Sequence, residues 1–373
     1  MKGSIKKNKQ TGKWDFVIDI GKDPLTGKRK QKKKRGFATK KEAEKALTAL
    51  LNELNERAYI EPSKQRYDDY MKAWIKEKKH DLSVQTLKAY NSYLKAHILP
   101  NLGAVPLAKL TPLHIQCFVG ELRNKGLAET TTKRIFNVVN ASLNSAVKLE
   151  LIKKNPASII EKPKALAKKN AIWTVEEVSL FLKHSTSSPY YTAFLLAVTT
   201  GMRQGEILGL RWVDVDFQNE CLVIKQTLTH DGKGFKEGTK SKAGNRSIGL
   251  DTTTLSALKH QRKKNMANKL AYGNTYSDHD LVICTRKGKP INPRNLLRTF
   301  NNLISKANLS QVRFHDLRHT HASLMLQQGE NIKLISERLG HSSVKITLDT
   351  YSHVLPNMQQ EASNRLANKL FNG

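Results

Sequence analysis

Hydrophobic periodicity changes along this chain in a way that a single architecture cannot accommodate. Near the N-terminus, apolar Trp14, Phe16 and Ile18 take every second position, the spacing of a β-strand with one buried face. From Tyr67 to Asn155 the apolar residues instead recur at helical spacing. The sequence therefore predicts a multidomain protein, with a small β-sheet domain at the N-terminus and an all-α domain after it.

A strongly basic segment follows the first strand and a turn at residues 23–27. It could pair as an edge strand of the same sheet, although a solvated basic loop is the alternative interpretation. Thr39 and Glu42 then form a capping box that begins an amphipathic helix. Residues 1–62 are predicted to form a three-stranded sheet backed by one helix, with a basic strand face directed outward. The basic residues of this segment are Lys28, Arg29, Lys30, Lys32, Lys33, Lys34 and Arg35.

The helical part of the chain carries helix start and stop signals. Ser83 and Thr111 precede helical runs, and Gly126 ends one of them. Thr130 is expected to cap a longer helix that runs to about Glu150. No cluster of catalytic residue types accompanies these helices, so we predict that this domain binds a partner and does not carry out chemistry.

A basic stretch at residues 161–172 contains a proline and no apolar periodicity, which indicates a linker. It separates the helical domain, residues 63–160, from a mixed α+β, mainly helical domain at residues 173–373. The predicted elements of that last domain are helices at Val175–His184, Tyr191–Thr199 and Gln204–Leu210 and strands at Cys221–Thr227, Arg246–Leu250 and Leu281–Cys284.

Charge indicates the kind of partner. Lys and Arg number 64 against 32 Asp and Glu, a net charge of +32 on a chain that is 39% hydrophobic. Such an excess on a folded chain favours a polyanion as partner, with nucleic acid ahead of an anionic membrane. No window approaches the roughly 18 apolar residues of a membrane-spanning helix, and no apolar signal core is seen, so we expect a soluble cytoplasmic protein.

Neither a disulfide framework nor a metal site is predicted. Cys117, Cys221 and Cys284 lie in apolar neighbourhoods without metal-ligand spacing, and we interpret all three as small core residues. His315 and His319 have the i, i+4 spacing of metal ligands, but no carboxylate or thiol completes a set with them.

Four short motifs bring together groups suited to an anion. Arg203 follows a glycine at the start of a predicted helix, where backbone amides and a guanidinium point in one direction. His315 and Arg318 share a helix face at i, i+3 spacing. His341 follows the end of a short helix, and Tyr351 lies ten residues further on. Basic and imidazole groups with a tyrosine suit phosphoryl transfer.

These motifs resemble the tyrosine recombinase, or phage-integrase, family. The first arginine box is matched by Gly201–Ile207, the His-x-x-Arg box by His315 and Arg318, the Leu-Gly-His box by Leu339–His341, and the nucleophile by Thr350-Tyr351. The four boxes stand in family order and spacing. The resemblance implies an N-terminal arm-type DNA-binding domain, a SAM-like core-binding domain and a catalytic domain of the tyrosine recombinase fold. It also implies that the C-terminal tail, Pro356–Gly373, packs onto a neighbouring copy of the chain.

The family's catalytic lysine lies in a β-hairpin between the two arginine boxes. This position has three candidates in the sequence, Lys236, Lys240 and Lys242. Lys242 fits best because it stands four residues before Arg246 on the outgoing strand, and Lys240 remains the alternative.

The resemblance also implies a role for each group. Tyr351 would form a 3′-phosphotyrosyl bond, Lys242 would protonate the departing 5′-hydroxyl, and His315 would assist proton transfer from the tyrosine. Arg203, Arg318 and His341 would bind the phosphate, with Glu206 supporting Arg203. No cofactor is implied, because the covalent bond stores the energy needed for resealing. His319, His321 and His353 are interpreted as structural or DNA-facing.

The implied function is integration and excision of a mobile element or prophage by site-specific recombination. The implied partners are double-stranded DNA with core-type and arm-type sites, other copies of the chain in a tetramer, a DNA-bending host factor and an excisionase. A type IB topoisomerase-like enzyme and a catalytically inactive DNA-binding accessory protein are the alternatives.

Overall fold

The chain separates into two units, residues 1–167 and 168–373. The computed structural model describes residues 3–22, 27, 29–55, 65–164, 171–238 and 246–351, and positions 363, 364, 367, 370 and 371. Lys28, Lys240, Lys242 and His353 therefore lie outside the described residues. The boundary between the units falls inside the predicted linker, and the finer division of the first unit at residue 62 remains a prediction.

The N-terminal part is an antiparallel sheet of three strands with one helix against it. The strands are β1 (Gly3–Lys7), β2 (Trp14–Lys22) and β3 (Arg29–Phe37), in the order β1-β2-β3, and the helix is α1 (Lys40–Asn55). Phe16 and Ile18 of β2 are buried in one cluster with Leu47 and Leu50 of α1. The predicted sheet, its basic edge strand and its helix are thus confirmed.

The start of α1 differs from the predicted capping box in one detail. The Thr39 hydroxyl accepts the N–H of Glu42 at 3.2 Å, as expected for a cap. The Glu42 carboxylate, however, accepts the N–H of Ala38 at 3.2 Å. The Thr39 cap is therefore present, but the Glu42 carboxylate accepts the N–H of the residue before Thr39 and not that of Thr39 itself.

A bundle of helices follows within the first unit. Its elements are α2 (Tyr67–Lys78), α3 (Val84–Tyr93), a π-helical turn at Leu94–Ile98, α4 (Leu99–Leu102), a 3₁₀ turn at Leu107–Lys109, α5 (Pro112–Asn124) and α6 (Glu129–Lys148). The Ser83 hydroxyl accepts the N–H of Thr86 at 3.2 Å, and Thr111 caps α5. Gly126, at φ +72°, follows the end of α5 as predicted.

The predicted start of α6 is wrong. Ala128 occupies the cap position and Thr130 lies inside the first turn. Glu129 opens the helix instead, and its carboxylate accepts the Nε–H of Arg123 at 2.7 Å. An acidic group in the first turn is favoured by the helix dipole, so a hydroxyl cap is not required there.

The second unit is mainly helical around an aromatic core. Trp173, Phe181, Phe194 and Phe300 are each at most 1% exposed and contact one another through their rings. Its helices are α7 (Val175–Ser185), α8 (Tyr191–Thr200), α9 (Gln204–Gly209), α10 (Thr252–Tyr272), α11 (Pro293–Lys306), α12 (Asp316–Gln327), α13 (Ile332–Leu339) and α14 (Val344–Tyr351). The first three match their predicted positions closely.

Two short sheets accompany these helices. One has the order β4 (Val215–Asp216), β5 (Cys221–Val223) and β8 (Ser247–Gly249), and the other pairs β6 (Gln226–Leu228) with β7 (Phe235–Glu237). The single strand predicted at Cys221–Thr227 is therefore two strands in different sheets.

The strand predicted at Leu281–Cys284 is also wrong. Its backbone forms only isolated bridges, and the Asn265 side chain donates to the carbonyls of Leu281 and Val282 at 3.1 Å and 3.0 Å. A short buried apolar run does not by itself distinguish a strand from an irregular buried segment.

The cysteine interpretation holds only in part. All three cysteines are free thiols, but Cys117 is exposed on α5, while Cys221 and Cys284 are half-buried. Cys117 is therefore not a core residue. Through the described part of the chain, every helix is too short or too polar to cross a lipid bilayer.

Candidate active site

Arg203 is positioned by a left-handed turn at the end of α8. Gly201, at φ +66°, ends that helix, and a Cβ at this position would lie 2.7 Å from Cδ2 of His321. Only glycine fits such a turn without displacing its neighbours. The turn places Arg203 at the cap position of α9 with its side chain 40% exposed.

Glu206 is a buried carboxylate held by two arginines. Arg203 donates to it from Nη1 at 2.8 Å and from its backbone N–H at 2.9 Å. Burial alone would raise the pKa of Glu206, but the hydrogen bonds and charge of Arg246, together with Arg203, hold that pKa below its ordinary value. An ionised Glu206 fixes the direction of the Arg203 guanidinium, which is the supporting role expected of it.

Arg318 ties two loops of the second unit together. It lies on α12, is 3% exposed, and donates from Nη1 to the Gly201 carbonyl at 2.8 Å and from Nη2 to the Leu339 carbonyl at 2.5 Å. Burial and the nearby charge of Arg203 lower its pKa to about 9, so it remains protonated at neutral pH. Two of its five N–H groups are used in this way, which leaves donors for an anion.

His341 and His315 add two imidazoles to these arginines. Gly340 ends α13 at φ +66°, and Nδ1 of His341 lies 2.8 Å from Oγ1 of Thr347 on α14. Burial and the charges of Arg318 and Arg203 lower the pKa of His341 to about 4. His315 lies at the start of α12 and is partly exposed. Burial of part of its ring, the neighbouring His319 and the charges of Arg318 and Arg203 lower its pKa to about 4. Both imidazoles are therefore neutral hydrogen-bonding groups at pH 7.

Tyr351 is the last residue of α14 and is buried. It is 1% exposed and packs with Ala322, Leu326, Ile335 and Leu339. Its hydroxyl oxygen lies 2.8 Å from Nδ1 of His319 on α12. Burial raises the pKa of Tyr351 to about 12, against the opposing charge of Arg318, so the phenol is neutral at pH 7.

The structure brings five of the six predicted catalytic residues into one neighbourhood. Arg203 and Arg318 both act on the pKa values of His315 and His341, and Arg318 also acts on that of Tyr351. The sixth, Lys242, and its alternative Lys240 lie outside the described residues. Lys236 is described, as an exposed residue of β7 paired with Thr227.

His319, interpreted from the sequence as structural or DNA-facing, instead contacts the hydroxyl of Tyr351. It stands next to Arg318, and its ring packs edge-on against His315 with ring centroids 5.3 Å apart. Its contact with Tyr351 joins residues 32 positions apart, so only the packing of α14 on this side of the unit reveals it. His321, in contrast, donates to the Val198 carbonyl and accepts from Arg338, which fits the structural one of the two roles predicted for it, structural or DNA-facing.

The candidate DNA-binding residues of β3 divide between the two faces of the sheet. Lys33 pairs with Val17, whereas Lys34 pairs with Phe16 and Lys32 with Ile18. Directly opposed residues project to the same face, so Lys32 and Lys34 share the face of the buried residues and Lys33 the opposite face. The outward basic face of this strand therefore carries Lys33, whereas Lys32 and Lys34 do not belong to it. Because side chains alternate along a strand, Arg35 lies on the same face as Lys33. The guanidinium of Arg29 forms an ion pair with the carboxylate of Asp19.

Three family models match the chain. The phage integrase family matches residues 173–358, an arm DNA-binding domain matches residues 4–54, and a phage integrase N-terminal SAM-like domain matches residues 67–123.

Curated relatives match along nearly the whole chain. A XerC-like tyrosine recombinase of Caldanaerobacter subterraneus subsp. tengcongensis is 29% identical over 95% of each chain. The ICEBs1 integrase of Bacillus subtilis is 27% identical over 97% of this chain and 99% of its own.

Solved structures show the same fold. The Tn1549 transposon integrase in complex with a circular intermediate DNA has a TM-score of 0.70 at 19% identity, covering 81% of this chain and all of that one. The lambda integrase tetramer bound to a Holliday junction has a TM-score of 0.61 at 20% identity, covering 93% and 94%.

Proposed function

The chain belongs to the phage integrase family of tyrosine recombinases, and from that premise we propose which residues carry its chemistry. It is a site-specific recombinase that cleaves and rejoins DNA strands. We assign the nucleophile to Tyr351, which forms a 3′-phosphotyrosyl bond. The observation that carries this assignment is the contact at 2.8 Å of the Tyr351 hydroxyl with Nδ1 of His319, the residue directly after Arg318, whose charge acts on the pKa of Tyr351.

The two arginines supply the charge that the reaction requires. Attack on a phosphodiester adds negative charge to the non-bridging oxygens, and preorganised donors stabilise that charge. Arg318 is held by two carbonyls and Arg203 by Glu206, so neither must reorganise when the phosphate binds. His341, neutral and half-buried, is the proposed third donor to the same phosphate.

Leaving-group protonation is the proposed work of Lys242. As Tyr351 attacks phosphorus, the bond from phosphorus to the 5′-oxygen breaks, and that oxygen requires a proton. A 5′-hydroxyl from another strand then reverses the attack and releases the tyrosine. Because the phosphotyrosyl bond conserves the energy of the phosphodiester, neither ATP nor another cofactor enters the proposed cycle.

Access to Tyr351 is part of the proposal. The side chain is 1% exposed, so DNA that enters the site must uncover the hydroxyl oxygen before it can attack. Cleavage is thereby coupled to DNA binding, which protects the nucleophile in the absence of substrate.

DNA binding is proposed to be shared between the parts of the first unit. The N-terminal sheet, which matches an arm DNA-binding domain, would bind arm-type sites through Lys33 and Arg35. The SAM-like helical domain would bind core-type sites next to the cleaved phosphate. Phosphate contacts of this kind make affinity fall steeply with salt.

Assembly on DNA is proposed to be tetrameric. The lambda integrase, whose fold this chain shares, forms a tetramer on a Holliday junction. In this chain the described tail residues Leu370 and Phe371 are 65% and 81% exposed. We propose that a neighbouring copy of the chain covers these apolar side chains. The substrate is proposed to be the ends of a mobile element or prophage, with a DNA-bending host factor and an excisionase as accessory partners.

A recombination assay tests the proposed function. Two duplexes that carry the attachment sites of the element bearing this gene are incubated with the protein. Hybrid junctions in the products, detected by sequencing, are the expected result. Relaxation of any supercoiled plasmid without hybrid junctions would instead indicate a topoisomerase.

A further inference from the structure

The hydroxyl of Tyr351 has a histidine partner that is not among the six predicted catalytic residues. Nδ1 of His319 lies 2.8 Å from the hydroxyl oxygen, and the two rings are 5.7 Å apart at an angle of 55°. His319 stands on α12 directly after Arg318, one helical turn from His315. The nucleophile is therefore in contact with a group able to accept a proton.

Tyr351 needs such a partner because of where it lies. Burial raises the pKa of its phenol to about 12, so at pH 7 its proton must leave as the oxygen attacks phosphorus. An unperturbed phenol, with a pKa of about 10, is also protonated at pH 7, so this need remains when DNA uncovers the oxygen. A base within hydrogen-bond distance provides a direct route for that proton.

The surroundings of His319 keep it ready to accept. Burial and the charges of Arg318 and Arg313 lower its pKa, while the carboxylate of Asp316 acts in the opposite direction. His315 packs against it on α12 and His341 lies within electrostatic range, both neutral at pH 7. A neutral His319 with its proton on Nε2 presents a lone pair at Nδ1 to the Tyr351 hydroxyl.

We propose that His319 is a catalytic residue, the base that takes the proton of Tyr351 during DNA cleavage. The proton moves from the Tyr351 oxygen to Nδ1 of His319, the bond from oxygen to phosphorus forms, and the bond from phosphorus to the 5′-oxygen breaks. When the strand is resealed, the same proton returns to the tyrosine. This inference rests on the proposed function, and it transfers to His319 the proton step that the family resemblance gives to His315.

Cleavage of a nicked attachment-site duplex, which traps the covalent adduct, tests this assignment as a function of pH. The wild-type single-turnover rate should be nearly constant from pH 7 to 9, because His319 is already neutral there. His319→Ala should slow cleavage by about 10²–10⁴-fold, the usual contribution of a general base. Its residual rate should rise about tenfold per pH unit, because the tyrosinate must then form without a base.

His319→Asn separates proton transfer from positioning. Its amide can hydrogen-bond the tyrosine but cannot take a proton, so it should be as slow as the alanine variant with the same steep pH profile. His184→Ala, an exposed histidine of α7, is the matched control and should cleave at the wild-type rate. Affinity for the duplex and the thermal midpoint of each variant verify that the fold and DNA binding are intact.

Two outcomes would overturn the assignment. A wild-type rate and flat pH profile in His319→Asn would reduce His319 to a positioning residue. Faster cleavage in either variant would mean that His319 only restrains Tyr351. Because the adduct of the wild-type protein is measured in the same experiment, these results leave the recombinase function standing, whereas no wild-type adduct would remove both proposals.

Discussion

The guanidinium of Arg246 donates to both carboxylate oxygens of Glu206, from Nη1 at 3.2 Å and from Nη2 at 2.9 Å. Its Nε also donates to the Arg338 carbonyl at 2.6 Å, near the end of α13. One buried ion pair thus joins the start of α9, the beginning of β8 and the turn before His341. Arg203 and His341 are both positioned by elements that this pair connects.

Glu206→Gln should destabilise the protein. The substitution keeps the size of the side chain but removes the negative charge that Glu206 presents to Arg246, which is 8% exposed. Removing one partner of a buried ion pair typically costs about 3–5 kcal/mol. Scanning calorimetry of the full chain should show a lower midpoint for the transition of the second unit. Asp278→Asn, which removes an exposed pair with Lys269, should leave that midpoint unchanged.

Acid should weaken the same ion pair. The pKa of Glu206 in the folded protein lies below its ordinary value of 4.5. Its ionisation therefore contributes stability that is fully present above pH 4.5 and is lost as the pH falls through the lower folded value. Thermal midpoints measured between pH 6 and 3 should fall more steeply for the wild type than for Glu206→Gln. Parallel curves would mean that Glu206 is not ionised in the fold.

Arg318→Lys should impair cleavage although it keeps the positive charge. Lysine cannot span the carbonyls of Gly201 and Leu339 and still offer a fork to phosphate. The expected loss in the single-turnover cleavage rate is about 10²–10³-fold, as for one preorganised donor. Arg262→Lys is the matched control, because Arg262 is exposed on α10 and lies over the ring of Trp212. Equal effects of the two substitutions would contradict the role given to Arg318.

Neighbouring lysines of β3 should differ in their effect on arm-site binding. Lys33→Ala removes a charge from the face opposite the buried residues, and Lys34→Ala removes one from the other face. The first should weaken binding to arm-type DNA and reduce the slope of affinity against salt by about one phosphate contact. Fluorescence anisotropy at several salt concentrations measures both quantities. A larger effect of Lys34→Ala would reverse the assignment of the DNA-binding face.

The choice between Lys242 and Lys240 can be made with a modified substrate. A bridging sulfur in place of the 5′-oxygen leaves as a thiolate and needs no proton. Lys242→Ala should therefore cleave the normal duplex slowly and the sulfur-containing duplex at nearly the wild-type rate. Lys240→Ala should cleave both like the wild type. The opposite pattern would assign the acid to Lys240.

The fold was predictable where local chemistry determines it. The alternation at Trp14, Phe16 and Ile18 predicted β2, and hydroxyl caps such as Ser83 predicted helix starts, because both signals depend on residues within one turn or strand. The predictions at Thr130 and at Leu281–Cys284 were wrong because contacts outside the local pattern decide the structure there. At Thr130 the cap was decided by Glu129 and its contact with Arg123, and at Leu281 the backbone was satisfied by the side chain of Asn265.

The candidate site was predictable to the extent that its residues lie in motifs. The resemblance of these motifs to the tyrosine recombinase family identified them, and the structure brings together Arg203, His315, Arg318, His341 and Tyr351. Spacing did not predict the contact between His319 and Tyr351, because the two residues are 32 positions apart in the chain. Nor did composition show that Arg246 would complete the support of Glu206, since both members of that pair are ordinary charged residues until they are buried.

The identity of the nucleophile is the central claim, and one measurement addresses it directly. The protein is incubated with a nicked attachment-site duplex, the covalent adduct is digested with protease and nuclease, and the nucleotide-bearing peptide is mapped by mass spectrometry. We expect a nucleotide attached to Tyr351 and no adduct in Tyr351→Phe. A nucleotide on another residue, or an undiminished adduct in Tyr351→Phe, would contradict it.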